Sequence, residues 1–253
     1  MYNTLLLKHE KNEQEERRPR RSLRSRIFRC RYRHNKIYFL FFSLYSRLNF
    51  FSLYKRKFLY KIRNKINIDT DLKTSQNTLE DLFAYYGTDK ANKFENYTKK
   101  GHGYSEFYQG HFEKIKNKDL KILEIGSYSG ASAAAFSKYF PNSKIFCIDV
   151  NISNFKYSSK KIEVFGLDIS DFKMIKNFFK EISLNEKQPF FDIIIDDGSH
   201  KLSDILYAFK ILFQNLRSGG FYIIEDYKLP NLFKHLNNID DIKINAMLEN
   251  LKK

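Results

Sequence analysis

The chain has 253 residues, 42% of them hydrophobic and 17% aromatic, which is enough for one sizeable α/β domain with additional segments. Its net charge is +16, but residues 1–66 alone contain 19 Lys and Arg against 4 Asp and Glu, and the other residues carry only +1. A near-neutral main domain argues against nucleic acid as its partner. Two distant cysteines, Cys30 and Cys147, exclude a disulfide framework or a zinc cluster and suit a reducing cytoplasm.

Residues 1–66 are predicted to be a basic N-terminal extension, partly helical and partly disordered. Residues 1–36 are polar and rich in Arg, which is typical of a disordered tail, with binding to RNA or acidic lipid as the alternative. Residues 37–57 are aromatic and apolar, but Arg47 leaves them short of the roughly 20 apolar residues that cross a bilayer. They predict a helix that contacts a membrane surface or packs on the main domain or a partner. The composition also permits a fusion remnant.

Residues 67–118 are predicted to form a helical lid. Thr78 opens a capped helix that ends at Gly87, and residues 88–90 (Thr-Asp-Lys) follow it. A second short helix covers residues 107–112. The Gly, Thr and Asp clusters between these helices indicate either loops over a site or ordinary turns. If the loops cover a site, His102, Tyr104 and His111 are candidates to line its pocket. If they are ordinary turns, these three side chains are packing or turn residues.

Residues 119–253 are predicted to be the main domain. Apolar runs at 120–125, 144–148, 162–166, 191–195 and 221–224 predict five strands. Between them, residues 171–181 predict a helix with Phe172, Ile175, Phe178 and Phe179 on one face. Residues 202–216 predict a long amphipathic helix that ends at Gly219 and Gly220. Alternating strands and helices predict an α/β, Rossmann-like, largely parallel sheet with helices on both faces.

The first predicted strand runs directly into a glycine turn and an alanine-rich helix. Gly126 allows a tight turn at the strand end, and Gly130 allows the helix to approach the sheet and a ligand closely. Tyr128 replaces the second glycine of the dinucleotide fingerprint, so that motif is absent. Asp149, at the end of the second strand, is placed to accept hydrogen bonds from ribose hydroxyls. An ordinary βα turn is the alternative.

Two neighbouring strands of the predicted sheet end in carboxylates. Residues 196–200 (Asp-Asp-Gly-Ser-His) follow the fourth strand, and Glu225 and Asp226 follow the fifth. Because the carboxyl ends of parallel strands meet at one edge, we expect Asp197 to converge with both acids of the fifth strand. The alternative is a polar turn that caps the following helix, with His200 merely at the start of that helix.

These motifs together carry a resemblance to a known family. Residues 123–130 (LEIGSYSG) resemble the S-adenosylmethionine loop of class I methyltransferases. With residues 87–90 (GTDK), 102–104 (HGY), 195–200 (IDDGSH) and 224–226 (IED), the chain resembles the O-methyltransferases that methylate macrolide sugars of the mycinamicin and tylosin type. The resemblance covers about residues 78–230.

The resemblance implies S-adenosylmethionine and Mg²⁺ as cofactors. Asp197, Glu225 and Asp226 match its magnesium ligands, and His200 matches the base that takes the proton from a sugar hydroxyl. Asp168 is expected near the adenine, and Asp196 is expected to shape the cofactor pocket. The expected cofactor-binding residues are Glu124, Gly126, Ser127, Gly130, Asp149, Asp168 and Asp196.

The predicted function is therefore Mg²⁺-dependent O-methylation of a sugar hydroxyl, on a glycan in polysaccharide biosynthesis or on a glycosylated natural product. The predicted location is the cytoplasm, with peripheral membrane contact through residues 37–57 as a further option. A homo-oligomer is compatible with the sequence. The alternative function is a truncated or non-catalytic methyltransferase-fold module held at a membrane or polyanion by its basic segment. A nucleic-acid methyltransferase is the third reading, and the neutral main domain argues against it.

The C-terminal part departs from the family pattern. Class I methyltransferases usually close their sheet with an antiparallel pair of strands, and no two strand-like runs follow Asp226. Residues 232–236 and 242–251 predict helices instead. We therefore expect either that the sheet ends at the fifth strand, with an edge that a helix or a partner covers, or that the chain is a truncated relative of the family.

Overall fold

The computed structural model describes residues 4–7, 64–73, 75, 77–95, 98–182 and 189–226, all within one compact unit. The strands are β1 Thr4–Leu7, β2 Ile66–Asn67, β3 Lys93–Phe94, β4 Lys99–Lys100, β5 Lys121–Ile125, β6 Lys144–Asp149, β7 Tyr157–Ser158, β8 Ile162–Gly166, β9 Phe191–Asp196 and β10 Leu216–Ile224. The α-helices are α1 Leu79–Tyr86, α2 Ser105–Phe112, α3 Ala131–Tyr139, α4 Phe172–Glu181 and α5 Leu202–Leu212. Short 3-10 turns lie at Glu113–Ile115, Ile152–Asn154 and Phe213–Asn215.

The central sheet has the strand order β1-β10-β9-β5-β6-β8, and each neighbouring pair in it is parallel. The chain leaves β5 toward β6 on one side and reaches β9 on the other, so the order reverses between β5 and β9. Open α/β sheets bind ligands at such a reversal, outside the carboxyl ends of the strands. Ile125 of β5 is opposite Asp196 of β9, so the loops after these two residues begin side by side.

Two hydrophobic cores lie on the two faces of the sheet because successive strand residues point to opposite sides. Ile122 and Ile193 belong to the core that α1, α2 and α3 cover. Leu123 and Ile194 belong to the core that α4 and α5 cover. The predicted Rossmann-like parallel sheet with helices on both faces is confirmed.

The two helices of the predicted lid share their core with α3. Helix α1 begins at Thr78, which forms a capping box with Asp81, and it ends at Gly87 in the left-handed region with φ 79°. The ring of Phe83 packs against that of Phe136 in α3, with centroids 5.3 Å apart. The lid is therefore anchored by buried aromatic contacts on the same face of the sheet. The domain boundaries at 66 and 118 stay predictions.

The helix that precedes β10 is shorter than the sequence predicted. Helix α5 ends at Leu212, and Leu216 already pairs with Phe191 of β9. Gly219 and Gly220 lie inside β10, where the register shifts between Leu216 and Phe221. Glycines in a strand commonly mark such a bulge, so the prediction that they end a helix is wrong.

Two further expectations need correction. Residues 4–7 form β1, which pairs with β10 in parallel. The prediction of a disordered tail is therefore wrong for these four residues. The expectation that the sheet ends at β10 is wrong for the same reason. An edge strand offers unpaired N–H and C=O groups that another strand can satisfy.

Phe172 is 61% exposed, so the buried face of α4 contains Ile175, Phe178 and Phe179 but not Phe172.

Several predictions fall outside the described residues. They concern the remainder of the N-terminal extension, the membrane contact through residues 37–57 and the helices predicted after Asp226. In the part of the chain that is described, no helix has the length and apolar character needed to span a membrane.

Candidate active site

The loops after β5 and β9 touch each other at the centre of the sheet edge. The Asp197 amide, after β9, donates to the Ile125 carbonyl of β5 at 3.0 Å. On the other side, the Gly126 amide donates to the Ile148 carbonyl of β6 at 2.7 Å. Gly126 has φ 86°, and a Cβ atom there would lie 2.0 Å from the carbonyl oxygen of Asp197. Only glycine fits this position, as the sequence predicted for a tight turn at the strand end.

Below the Gly126 loop lies a buried carboxylate with one unsatisfied oxygen. Glu124 is 1% exposed; its Oε1 accepts a short hydrogen bond from the Ser132 hydroxyl, and its Oε2 has no partner. Burial raises the pKa of Glu124 above its usual value. The Ser127 hydroxyl donates to the Glu124 carbonyl at 3.2 Å and so holds the turn closed. A ligand with a donor or a positive charge at Oε2 would complete this site.

The N-terminus of α3 approaches a neighbouring ring closely. Gly130 has φ 76°, and a Cβ atom there would lie 2.4 Å from the ring of Phe155. The structure therefore explains this glycine by packing within the chain. It does not by itself place Gly130 against a ligand.

Asp149 ends β6 and organises the start of the loop that follows β5. Its Oδ2 accepts from the Tyr128 amide at 2.8 Å, and its Oδ1 accepts from the Asn151 amide at 2.6 Å. Burial raises the pKa of Asp149, although both backbone hydrogen bonds act in the opposite direction. Tyr128 has φ 43°, a left-handed conformation that is uncommon for tyrosine and that the Asp149 contact supports.

Asp168 stands further along the same edge, in the loop after β8. Its Oδ1 accepts from the amide and the hydroxyl of Ser170 at 2.9 Å and 2.7 Å. Strand β6 separates β8 from β5, so Asp168 lies two strands away from the Gly126 loop. The structure shows only its local turn contacts, and a role at the adenine stays a prediction.

Asp196 ends β9 as a second buried carboxylate with an unsatisfied oxygen. It is 4% exposed; its Oδ1 accepts from the Gly198 amide at 3.2 Å, and its Oδ2 has no partner. Burial raises the pKa of Asp196 to about 7. Glu124 and Asp196 therefore place unsatisfied oxygen atoms on the two strands that flank the crevice, β5 and β9.

A second group of side chains converges at the same edge. Asp197, His200 and Asp226 each offer one ligand atom, and these atoms all lie within 4.8 Å of one another. The His200 Nε2 atom is 3.8 Å from the Asp197 Oδ1 atom, and both side chains are partly exposed. His200 and Asp226 have positive φ angles of 54° and 49°. Strained backbone that converges on one cluster is typical of functional sites.

Glu225 does not join this group. It is 3% exposed; its Oε2 accepts from the Lys90 ammonium at 2.6 Å, and its Oε1 accepts a short hydrogen bond from the Tyr108 hydroxyl. The same ammonium donates to Asp197 Oδ2 at 2.6 Å. Of the three predicted metal ligands, the structure thus brings Asp197 and Asp226 together with His200, and it places Glu225 in a buried ion pair.

The Lys90 ammonium stays charged in spite of its burial. Burial by itself lowers the pKa of Lys90, but the Asp197 and Glu225 carboxylates outweigh it and raise the pKa well above its usual value. The one ammonium is shared by the Asp197 and Glu225 carboxylates. Glu225 is itself buried, and this burial raises its pKa above the usual value. No sequence motif indicates a role for Tyr108, and the only signal for Lys90 is its place in the GTDK motif.

The lid also supplies contacts to Asp226. The Tyr104 hydroxyl donates to Asp226 Oδ1 at 2.6 Å, and the His102 Nδ1 atom is 3.7 Å from the same oxygen. His111 instead lies 2.8 Å from the Phe107 carbonyl oxygen through Nδ1 and contacts the ring of Phe221. His102 and Tyr104 are therefore site residues, and His111 is a packing residue.

The donor set fits the two groups that the resemblance implies. Aspartate oxygens on Asp197 and Asp226 are the hard ligands that Mg²⁺ prefers. The unpaired Glu124 oxygen lies below a glycine loop that can approach a ligand closely. Asp196 alternates to the other face of the sheet, the face of Ile125 and Ile194. A cofactor with a positive charge or a hydroxyl donor suits the Glu124 acceptor.

Part of the chain is similar to a known family of domains. Residues 123–227 match the family model of a methyltransferase domain. Every predicted cofactor-binding and metal residue, and His200, lies inside the matched residues, whereas Lys90, Tyr104 and Tyr108 lie before them. The matched residues make up less than half of this chain.

Two of the relatives that the chain matches are O-methyltransferases of glycosylated natural products. The chain is 33% identical over 132 residues to the L-olivosyl-oleandolide 3-O-methyltransferase of Streptomyces antibioticus, over 49% of this chain and 32% of that enzyme. It is 29% identical over 132 residues to the mycinamicin VI 2''-O-methyltransferase of Micromonospora griseorubida, over 49% of this chain and 31% of that enzyme. The chain thus matches about a third of the length of these curated relatives. The predicted resemblance is confirmed.

Among solved structures, the chain is similar to the MycE methyltransferase from the mycinamycin biosynthetic pathway in complex with Mg, SAH and mycinamycin VI. The identity is 27% and the TM-score 0.49, over 59% of this chain and 39% of that chain.

Proposed function

We propose that the protein is an S-adenosylmethionine-dependent and Mg²⁺-dependent O-methyltransferase that acts on a sugar hydroxyl, on a glycan or a glycosylated natural product. One observation carries this proposal: the glycine loop after β5 touches the acidic site after β9. A Cβ atom on Gly126 would lie 2.0 Å from the Asp197 carbonyl oxygen, so the two loops are in contact. Methyl transfer needs a donor and an acceptor held in line at short distance, and adjacent loops supply that arrangement.

The cofactor would lie along the carboxyl ends of β5, β6 and β9. Asp149, already fixed by two backbone amides, would accept hydrogen bonds from ribose hydroxyls. The unpaired oxygen of Glu124 would accept from a cofactor donor and offset its positive charge, and Asp196, on the opposite face of the sheet, would shape the pocket from the end of β9. These carboxylates are buried, so contacts with them exclude water and act in a low-dielectric environment.

The acceptor side would be built by Asp197, Asp226 and His200. The two carboxylates would hold Mg²⁺, whose charge favours the ionised form of a sugar hydroxyl and so makes the oxygen nucleophilic. Mg²⁺ prefers oxygen ligands, which leaves the His200 Nε2 atom available to accept the hydroxyl proton. Asp197 Oδ1, 3.8 Å from that nitrogen, would stabilise the imidazolium that results.

The activities of these two relatives support an acceptor of the sugar class. They are 3-O- and 2''-O-methyltransferases of glycosylated natural products. Since this chain matches about a third of their length, the acceptor itself is left open. A cytoplasmic location, membrane contact and self-association stay predictions from the sequence.

The proposal is tested by calorimetry with S-adenosylmethionine and by mass spectrometry of methyl transfer to a panel of sugar acceptors with Mg²⁺ present. We expect the native chain to bind the cofactor and to methylate at least one acceptor. His200→Asn should bind the cofactor normally and lose about 100-fold or more in turnover, because the proton acceptor is removed. Asn is chosen because it tolerates the φ of 54° at this position.

The matched control is His111→Asn, a change of the same type in α2 at a packing histidine, which should keep turnover. Failure of the intact protein to bind S-adenosylmethionine would exclude the proposed function. Cofactor binding without turnover on any acceptor would instead favour the non-catalytic module.

A further inference from the structure

No step above uses residues 65–71, a segment here called the strap. It contains β2, which pairs in parallel with β7. The Ile66 amide donates to the Lys156 carbonyl at 2.9 Å, and the Ile68 amide donates to the Ser158 carbonyl at 3.0 Å. The strap is thus held against the part of the chain that follows β6 and its 3-10 turn.

The residues that the strap holds also contact the end of the glycine loop after β5. The Phe155 ring fills the space that a side chain at Gly130 would need, because a Cβ atom there would lie 2.4 Å from the ring. The Lys156 amide donates to the Ser129 carbonyl at 2.9 Å. The strap binds the carbonyl oxygens of these same two residues, since the Lys65 ammonium donates to Phe155 at 2.5 Å and the amide described above donates to Lys156. A continuous series of contacts therefore runs from the strap to the loop.

The other end of the strap contacts the helix that begins at this loop. The Lys138 ammonium, in the last turn of α3, donates to the Asp71 carbonyl at 2.9 Å. The Tyr86 hydroxyl of α1 donates to Asp71 Oδ2 at 3.0 Å. The position of the strap is therefore coupled both to the loop and to the helix that follows it.

The strap has little buried surface of its own. Ile68 is 1% exposed and is its only buried residue, whereas Ile66 is 57% exposed. Strand β2 has only two residues. Segments with few buried apolar contacts and solvent-exposed backbone hydrogen bonds open locally, without unfolding of the sheet. The docked strap is therefore one side of a local equilibrium.

We propose that the strap is a positioning element for S-adenosylmethionine. When it is docked, it keeps Phe155 and Lys156 against the glycine loop, which then binds the cofactor more tightly than when the strap is open. Lys65 and the Ile66 amide act through these two residues and do not need to touch the cofactor. This inference rests on the proposed cofactor binding, and it adds a segment outside the central sheet that controls the affinity.

Thermodynamic linkage makes this effect reciprocal. If docking of the strap raises the affinity for the cofactor by some factor, bound cofactor favours docking by the same factor. The factor can therefore be measured twice. One value comes from cofactor affinity in a variant whose strap is open, and the other comes from the opening of the strap in the native chain.

The test uses the full-length chain, with calorimetry of S-adenosylmethionine binding and residue-resolved hydrogen exchange with and without saturating cofactor. Ile66→Pro removes the amide that donates to Lys156, and its matched control Ile66→Ala keeps that amide while losing the same exposed side chain. Lys65→Met removes the ammonium that binds the Phe155 carbonyl. Lys118→Met, at an exposed lysine outside the strap, is the control for loss of a positive charge.

We expect Ile66→Pro to weaken cofactor binding about tenfold and Lys65→Met about threefold, with both controls within about twofold of the native chain. In the native chain, saturating cofactor should slow exchange of the Ile66 and Ile68 amides by the same factor of about ten. A strap that only stabilises the fold would leave cofactor affinity unchanged, and the cofactor would then not alter the opening of the strap.

Equal cofactor affinity in Ile66→Pro and Ile66→Ala would overturn the inference. Exchange at the Ile66 and Ile68 amides that does not respond to the cofactor would overturn it as well. The exchange measurement needs no variant, so it decides the question even if Ile66→Pro does not fold. Failure of the native chain to bind S-adenosylmethionine would refute the proposed function and this inference together, whereas cofactor binding without any effect of or on the strap refutes this inference alone.

Discussion

Asp196 offers a direct test of the electrostatics at the crevice. The residue is 4% exposed, one of its oxygens has no hydrogen-bond partner, and burial raises its pKa to about 7 from the usual 3.8 of an aspartate. Asp196→Asn preserves the shape of the side chain and removes its ionisation. The expected effect is therefore a change in how the stability of the cofactor-free protein depends on pH.

The sign and size of the effect follow from proton linkage. Between pH of about 4 and about 7 the folded protein holds a proton on Asp196 that the unfolded chain has lost, so the free energy of unfolding falls as pH rises. The stabilisation that comes from the protonated Asp196 carboxyl is complete below the pKa of Asp196 in the unfolded chain. It is lost as the pH rises through the pKa of Asp196 in the folded protein. A gap of about 3 pKa units at about 1.4 kcal/mol per unit gives an upper value of roughly 4 kcal/mol.

The assay is urea unfolding of the native protein and of Asp196→Asn at several pH values from 5 to 8. Relative to the native protein, the variant should gain up to about 1.4 kcal/mol of stability per pH unit until pH is about 7, and then no more. The gain should persist in high salt, because it comes from burial and not from distant charges. A stability difference that stays constant across this pH range would refute the reasoning.

Two further predictions concern the loops of the site. Gly126→Ala should destabilise the protein by about 2 kcal/mol or more in urea unfolding and abolish cofactor binding in calorimetry, because its Cβ would lie 2.0 Å from the Asp197 carbonyl oxygen. Gly87→Ala is the control, because Gly87 also has a positive φ but nothing lies within 4 Å of its Cβ position. It should cost only the backbone strain, about 1 kcal/mol of unfolding free energy. An equal cost at both glycines would contradict the steric argument. Tyr108→Phe should cost about 1–3 kcal/mol in thermal unfolding, because it removes a buried donor from Glu225, and an unchanged melting temperature would show that this hydrogen bond is not formed.

The site is assembled from both the sheet and the lid. The loops after β9 and β10 supply the acids and His200, and the lid supplies Lys90, Tyr104 and Tyr108, which contact those acids. The lid helices in turn pack on α3 through buried rings. Changes in the lid core are therefore expected to reach the geometry of Asp226 and Glu225.

The sequence by itself determined the sheet and the location of the site. Strands buried on both faces appear as short apolar runs, so β5, β6, β8, β9 and the end of β10 could be read directly. Because the strands are parallel and β9 neighbours β10, the carboxylates that follow them had to meet at one edge. Gly126 was also predictable, since a strand that turns at once into a helix needs a residue with unrestricted φ.

Periodicity did not decide where elements end. Gly219 and Gly220 are compatible with a helix end or a bulge, and pairing of Leu216 with Phe191 selects the bulge. Strand β1 (Thr-Leu-Leu-Leu) pairs with the edge of β10, but its apolar run is only four residues long and is followed by a polar segment, so periodicity could not distinguish it from the tail.

Only the tertiary structure decided how the acids divide their roles. Glu225 and Asp226 are adjacent in sequence, yet the first pairs with Lys90 and Tyr108 in the interior and the second faces Tyr104 and the partly exposed group with Asp197. The partner that makes the difference, Lys90, is 135 residues away from Glu225. A motif records which residue types occur together, whereas the direction of each carboxylate is set by the donors that packing brings against it.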